Sequence, residues 1–267
     1  MNSVFTAFLL TLIAGLATGI GSFIAFFAKK TNTRFLCLSL GFSAGVMIYV
    51  SMIEIFQQAN KSLVLALGEK IGSIVNVIAF FCGIFIIAII DKLVPSEENP
   101  HEIKKIEDIN EDKINKNKSL LRTGVFTAIA ITIHNFPEGL ATFVSALNDV
   151  SLAIPITIAI AIHNIPEGIS VSVPIYYATG DKKKAFLYSF LSGMSEPLGA
   201  IIGYTLLRNI INDITLGILL SSVAGIMVFI SLDELLPTAR KYGEHHISIY
   251  GLIAGMAVMA ISLIMFI

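Results

Sequence analysis

The chain reads as an all-α polytopic membrane protein: eight transmembrane helices in a 3+2+3 arrangement with inverted internal repeats. Three observations carry this reading. First, 55 % of its 267 residues are hydrophobic and only 14 % are charged, against roughly 25 % charged in a soluble domain. Second, the apolar residues gather into stretches of about 20, enough for a helix to cross a bilayer. Third, two separate pairs of segments within the chain resemble each other. A soluble enzyme or a large soluble domain is excluded by composition alone, and the net charge of −1 says nothing about partners.

The first stretch, 4–28, is apolar from Val4 and ends at Lys29 and Lys30; with no basic residue before it and no small-residue cleavage pattern, it reads as a retained span. The second, 35–57, carries Glu54, and the third, 72–92, ends at Asp91 and Lys92. Residues 93–119 form the one long linker, mixed in charge, poor in large apolar residues and expected to be mobile or weakly helical; only His101 hints at metal collection there. The fourth and fifth stretches, 120–147 and 152–177, each contain His, Asn and Glu. The sixth, 185–207, contains Glu196 followed by Pro197; the seventh, 214–236, contains Asp233 and Glu234; the eighth, 247–267, follows His245 and His246, expected in a solvated loop. Cys37 and Cys82 both lie in apolar stretches and read as packed thiols, not a disulfide.

Orientation follows from the basic residues. The segments after spans 1, 3, 5 and 7 hold 15 of the 18 Lys and Arg, leaving Lys61, Lys70 and Arg208 on the other side. By the positive-inside rule the odd-numbered loops face the cytoplasm, and both termini lie outside the inner (cytoplasmic) membrane of the cell.

The repeats organise the rest. His134-Asn135-Phe136-Pro137-Glu138-Gly139 recurs 29 residues later as His163-Asn164-Ile165-Pro166-Glu167-Gly168. Separately, the run Ala44 to Glu54 resembles Ala224 to Glu234, so spans 1–3 repeat as spans 6–8 around spans 4 and 5. Three spans is an odd number, so the second copy crosses in the opposite sense. Inverted repeats mark transporters, with the substrate near the midplane at the repeat interface. The expected motion swings the two repeat bundles about spans 4 and 5.

Within the spans lie Glu54, Glu138, Glu167, Glu196, Asp233 and Glu234, with His134 and His163, but no clear Lys or Arg. Carboxylates without a resident cation cannot all be ionised in a dry interior, so the missing charge is expected to be a ligand. In each motif His and Glu stand four residues apart, on one helical face. Spans 4 and 5 run in opposite senses, which sets His134 level with Glu167 and His163 level with Glu138. Two imidazoles and two carboxylates suit Zn²⁺ and also Fe²⁺, Mn²⁺ or Co²⁺. One divalent ion with two ionised Glu and two neutral His is locally neutral. Asn135, Asn164 and Glu196 could serve a second cation. Pro137 and Pro166 leave the Ile133 and Ile162 carbonyls without helical partners, while Gly139 and Gly168 permit close helix approach. Glu54 near the outer face and Asp233 and Glu234 near the inner one fit a pathway.

These residues, with Ser192 to Ala200 and Ser231 to Pro237, resemble the ZIP (Zrt-, Irt-like) family of divalent metal transporters over essentially the whole chain. The resemblance implies eight spans in a 3+2+3 order, external termini and metal flow towards the cytoplasm. It implies a binuclear site, with His134, Glu138, His163 and Glu167 at one position, and Asn135, Asn164 and Glu196 at the other, Glu138 and Glu167 bridging. Some members replace the second His-Asn pair by Gln-Asp, and many carry a histidine-rich loop between spans 3 and 4; this chain has neither feature.

The function expected is uptake of divalent transition metals, zinc first, with iron, manganese, cobalt and cadmium as further cargo, and with no resident cofactor. The partners expected are those metal ions and the lipid bilayer, with no nucleic acid; a homodimer is compatible with the sequence. The alternative is an intramembrane zinc-dependent hydrolase using metal-bound water, disfavoured because the spacing is not His-Glu-x-x-His and no separate general base stands out. A proton-coupled carrier of an organic cation would want an aromatic pocket, and the chain has no Trp.

Overall fold

The computed structural model describes residues 3–27, 33–93, 113–148, 150–207, 212–242 and 245–265, and every element among them is helical. Seven helical stretches of these residues are long and apolar enough to cross a membrane. The chain is a multi-pass membrane protein. The fourth predicted span is not among the seven; it lies inside α5 (Lys113–Asn148), a continuous 36-residue helix whose apolar run is diluted by His134, Asn135 and Glu138. Residues 113–119, expected in the linker, are the first two turns of that helix. His101 and the linker residues 94–112 lie outside the described residues.

The other helices are α1 (Ser3–Phe27), α2 (Thr33–Tyr49), α3 (Phe56–Leu67), α4 (Glu69–Leu93), α6 (Val150–Thr179), α7 (Lys182–Gly193), α8 (Ser195–Leu207), α9 (Asp213–Ile230), α10 (Leu236–Tyr242) and α11 (His245–Met265). Between α2 and α3 the chain widens into a π-helical turn, π1 (Val50–Ile55), and between α9 and α10 into a second, π2 (Ser231–Leu235). The Phe56 N–H donates to the Ser51 carbonyl, and the Leu236 N–H to the Ser231 carbonyl. Both bonds span five residues instead of four, the mark of one extra residue in the turn. The two turns fall at equivalent places in the two copies of the 44–54 and 224–234 repeat. The second predicted span therefore continues through π1 to Leu67, ten residues past its expected end.

The ends are tied by local chemistry. The Asp181 carboxylate accepts from the Lys183 and Lys184 amides at 2.9 and 3.1 Å and starts α7. Asn212 and Thr215 form a reciprocal capping box on α9. Gly68, at φ +81°, turns α3 into α4, a backbone conformation only glycine adopts without strain.

Polarity is inverted relative to a soluble protein. Ile71, Ile74, Ile78, Phe85 and Ile89 of α4 and Ile253, Ile261 and Ile264 of α11 face outward, as a hydrocarbon solvent requires. Cys82 is on that outer face of α4, whereas Cys37 is buried, and both are free. The interior instead holds Ala, Ser, Thr and Asn alongside the aliphatic core, small residues that let backbones approach.

Helix packing divides the molecule differently from the repeats. α1 packs on α5, α6, α7 and α8, and α5 packs on α6 and α8. α2 packs on α10 and α11, while α3 and α4 pack on each other and on α9. One group is thus α1 and α5–α8, the other α2–α4 and α9–α11, each taking helices from both repeats. They meet through α2 against α6 and α5 against α9. The expected division of one repeat bundle from the other is not the one the packing makes, because the Gly-rich contacts of α1 lie on α6 and α7 rather than on α2.

Candidate metal centre

The site grows out of two proline-bearing helices. Pro137 and Pro166 lie within α5 and α6, which continue through them. Each helix is held close to a neighbour just past its proline. A methyl on Gly139 would run into the backbone of Glu196, and one on Gly168 into the Thr18 carbonyl. The absence of a side chain at Gly139 is what lets α8 bring Glu196 against the first motif. Glu196 itself starts α8, because span 6 breaks at Met194 into α7 and α8. Pro197 then occupies an early position of the new helix, where its missing N–H costs nothing.

Asn135, Glu138, His163, Asn164, Glu167 and Glu196 are each at most 1 % exposed. His163 Nε2 lies 3.1 Å from Glu138 Oε1, joining the two motifs at one depth. The side chain of His134, expected opposite Glu167, lies outside the described residues; its backbone is in α5. Asn164 donates through Nδ2 to the Ala14 carbonyl at 2.9 Å and to Glu196 Oε1. Asn135 Nδ2 is 3.5 Å from the Ser192 carbonyl. Both amide nitrogens are thus turned to fixed backbone, and both amide oxygens face away from it.

Four oxygens result with no hydrogen-bond donor among the described residues: Asn135 Oδ1, Glu138 Oε2, Asn164 Oδ1 and Glu196 Oε2. A buried polar atom without a partner costs about 1–3 kcal/mol, and four gathered on three adjacent helices call for a shared partner. Oxygen acceptors with an imidazole beside them are the donor set of a divalent transition metal. Among the described residues no three His, Cys, Asp or Glu side chains stand close enough together to hold a metal; Asn oxygens and the His134 side chain fall outside that set.

Glu54 lies in π1, half-buried; Asp233 and Glu234 lie in π2, the first exposed and the second buried. None belongs to α5, α6 or α8. His245 and His246 are exposed in the first turn of α11, ring centroids 5.6 Å apart. Ser43, not singled out from the sequence, stands beside the cluster: its Oγ lies 3.3 Å from Glu167 Oε1 and 3.4 Å from the His163 carbonyl. A hydroxyl in an apolar run was its only signal, and most such hydroxyls bond their own helix, as Thr11 does to Ala7 and Thr157 to Ala153.

The family described as ZIP Zinc transporter matches residues 91–263. The chain is 75 % identical over 279 residues to the zinc transporter ZupT of Clostridium perfringens, covering 100 % of this chain and 98 % of that protein. It is 68 % identical to the zinc transporter ZupT of Streptococcus mutans over 98 % of both chains, and 61 % identical to that of Chlorobaculum parvum over 99 % of both.

Proposed function

The chain belongs to the ZIP family of zinc transporters, and from that membership and the buried cluster we propose that it carries divalent transition metals into the cytoplasm through a paired metal site on α5, α6 and α8. Zinc is the first cargo, with iron, manganese, cobalt and cadmium as further ones on the breadth of an N/O donor set. The observation that carries the site is the set of four buried, undonated oxygens beside the His163–Glu138 contact. His134, Glu138, His163 and Glu167 hold one ion. Asn135, Asn164 and Glu196 hold the second, with Glu138 and Glu167 shared between them. Two ionised carboxylates and two neutral imidazoles cancel the charge of the first ion, which removes most of the cost of burying it.

Cargo reaches the cluster past Glu54 and leaves past Glu234 and Asp233. The site rides on the α1, α5–α8 group, so access alternates as that group shifts against α2–α4 and α9–α11 along the α2–α6 and α5–α9 contacts. The protein sits in the cytoplasmic membrane with both termini outside, a reading that the Lys and Arg distribution of its loops supports.

Glu138→Ala and Glu167→Ala each abolish zinc uptake by purified protein in liposomes while the protein stays folded in detergent. Undiminished uptake in both variants would overturn the site. Assaying ester or peptide hydrolysis in the same liposomes separates transport from the hydrolase alternative, which predicts turnover without flux.

A further inference from the structure

We propose that Ser43 is a positioning residue for the cargo site: its hydroxyl holds the Glu167 carboxylate in the direction a cation needs and docks the second motif helix onto α2. The inference rests on reading Glu167 as a metal-holding carboxylate.

Ser43 is fully buried, and its hydrogen-bond partners, Glu167 Oε1 at 3.3 Å and the His163 carbonyl at 3.4 Å, are both on α6. Ser22, Ser189 and Ser221 also bond across helices, to backbone carbonyls; Ser43 reaches a carboxylate as well. Thr11, Thr132, Thr142, Thr157 and Ser231 all bond the carbonyl four residues back on their own helix. The single Ser43 proton serves one acceptor at a time, and an ionised carboxylate is the stronger of the two. The bond fills one lone pair of Oε1 and fixes the direction in which the carboxylate faces.

The contact is also one-sided. The 180-residue offset of the repeat makes Val223 the counterpart of Ser43, and the 29-residue offset of the motifs makes Glu138 the counterpart of Glu167. Val223 is buried on α9, which packs on α5, but it offers no hydroxyl. Glu167 therefore has a hydroxyl anchor on the opposite helix group that the repeat does not supply to Glu138. The two carboxylates are not equivalent, although their motifs are.

The test is zinc uptake kinetics and equilibrium zinc binding for Ser43→Ala and Ser43→Thr, beside Glu167→Ala. Loss of a hydrogen bond to a carboxylate, long at 3.3 Å, raises KM and the zinc Kd of Ser43→Ala about three- to tenfold, with Vmax within about twofold of the parent. Ser43→Thr keeps the hydroxyl and restores both constants. An unchanged KM in Ser43→Ala, a loss confined to Vmax, or an equal defect in Ser43→Thr overturns the proposal. If Ser43→Ala behaves as the parent while Glu167→Ala is inactive, only the role of Ser43 falls; full uptake by Glu167→Ala removes the site reading and this inference with it.

Discussion

Asn164 carries two loads through one amide nitrogen, the Ala14 carbonyl on α1 and the Glu196 carboxylate on α8. An aliphatic residue of similar size strips both. Asn164→Leu leaves a buried carboxylate with one fewer donor, so it should lower stability by about 1–3 kcal/mol, read as a fall in the unfolding midpoint in detergent. Replacing the carboxyl by an amide as well should recover part of the loss: Asn164→Leu with Glu196→Gln is expected to unfold above Asn164→Leu alone, and a strictly additive pair would argue against the contact. At this scale the sequence was informative about types and poor about orientation. Histidine, amide and carboxylate in an apolar run announce a cation because each is costly in hydrocarbon. Nothing in the order of letters says that both Asn residues turn their nitrogens to backbone, or that Ser43 bonds across helices and not to its own.

Among the elements, α5 and α8 depend on contact without side chains. Gly139→Ala places a methyl where the Glu196 backbone already lies, and neither backbone can give way as a flexible side chain would. Overpacking of this kind costs about 1–3 kcal/mol and pushes Glu196 away from the motif, so both the unfolding midpoint and zinc affinity should drop. Gly19→Ala is the matched control. Its new methyl meets only side chains, Phe190 at 3.4 Å and Phe186 at 3.8 Å, and alanine favours a helix by about 1 kcal/mol over glycine; a midpoint at or above the parent's is expected. If the two variants behave alike, close approach is not what Gly139 supplies. The apolar runs made the helices legible because lipid tolerates little else. The breaks inside them were not: π1 carries no proline or glycine between Val50 and Ile55, and a widened turn there is decided by packing.

For the whole molecule, the charge asymmetry of the loops makes a directional claim. In a variant with Cys37 and Cys82 replaced by serine and alanine, a cysteine at Lys183 should react with a membrane-impermeant maleimide only from the cytoplasmic side, and one at Lys61 only from outside. The reverse pattern would invert the protein and turn uptake into export. The grouping of α1 and α5–α8 against the remaining helices was illegible in advance, because repetition in a sequence reports ancestry whereas packing reports which faces are small. The repeat is therefore not the unit in which the helices pack.

The paired wide turns bear on that ancestry. A residue slipped into a helix after a segment had been copied would mark one copy alone. The turns closed by Phe56 and Leu236 mark both, at the same place and with a serine carbonyl accepting in each. The simplest history is a single insertion in a three-span precursor, copied later along with the rest of that segment. Ser43 and Val223 then record the opposite process, two copies growing unlike after the doubling, so that a molecule built around two resembling three-span segments came to have a front and a back.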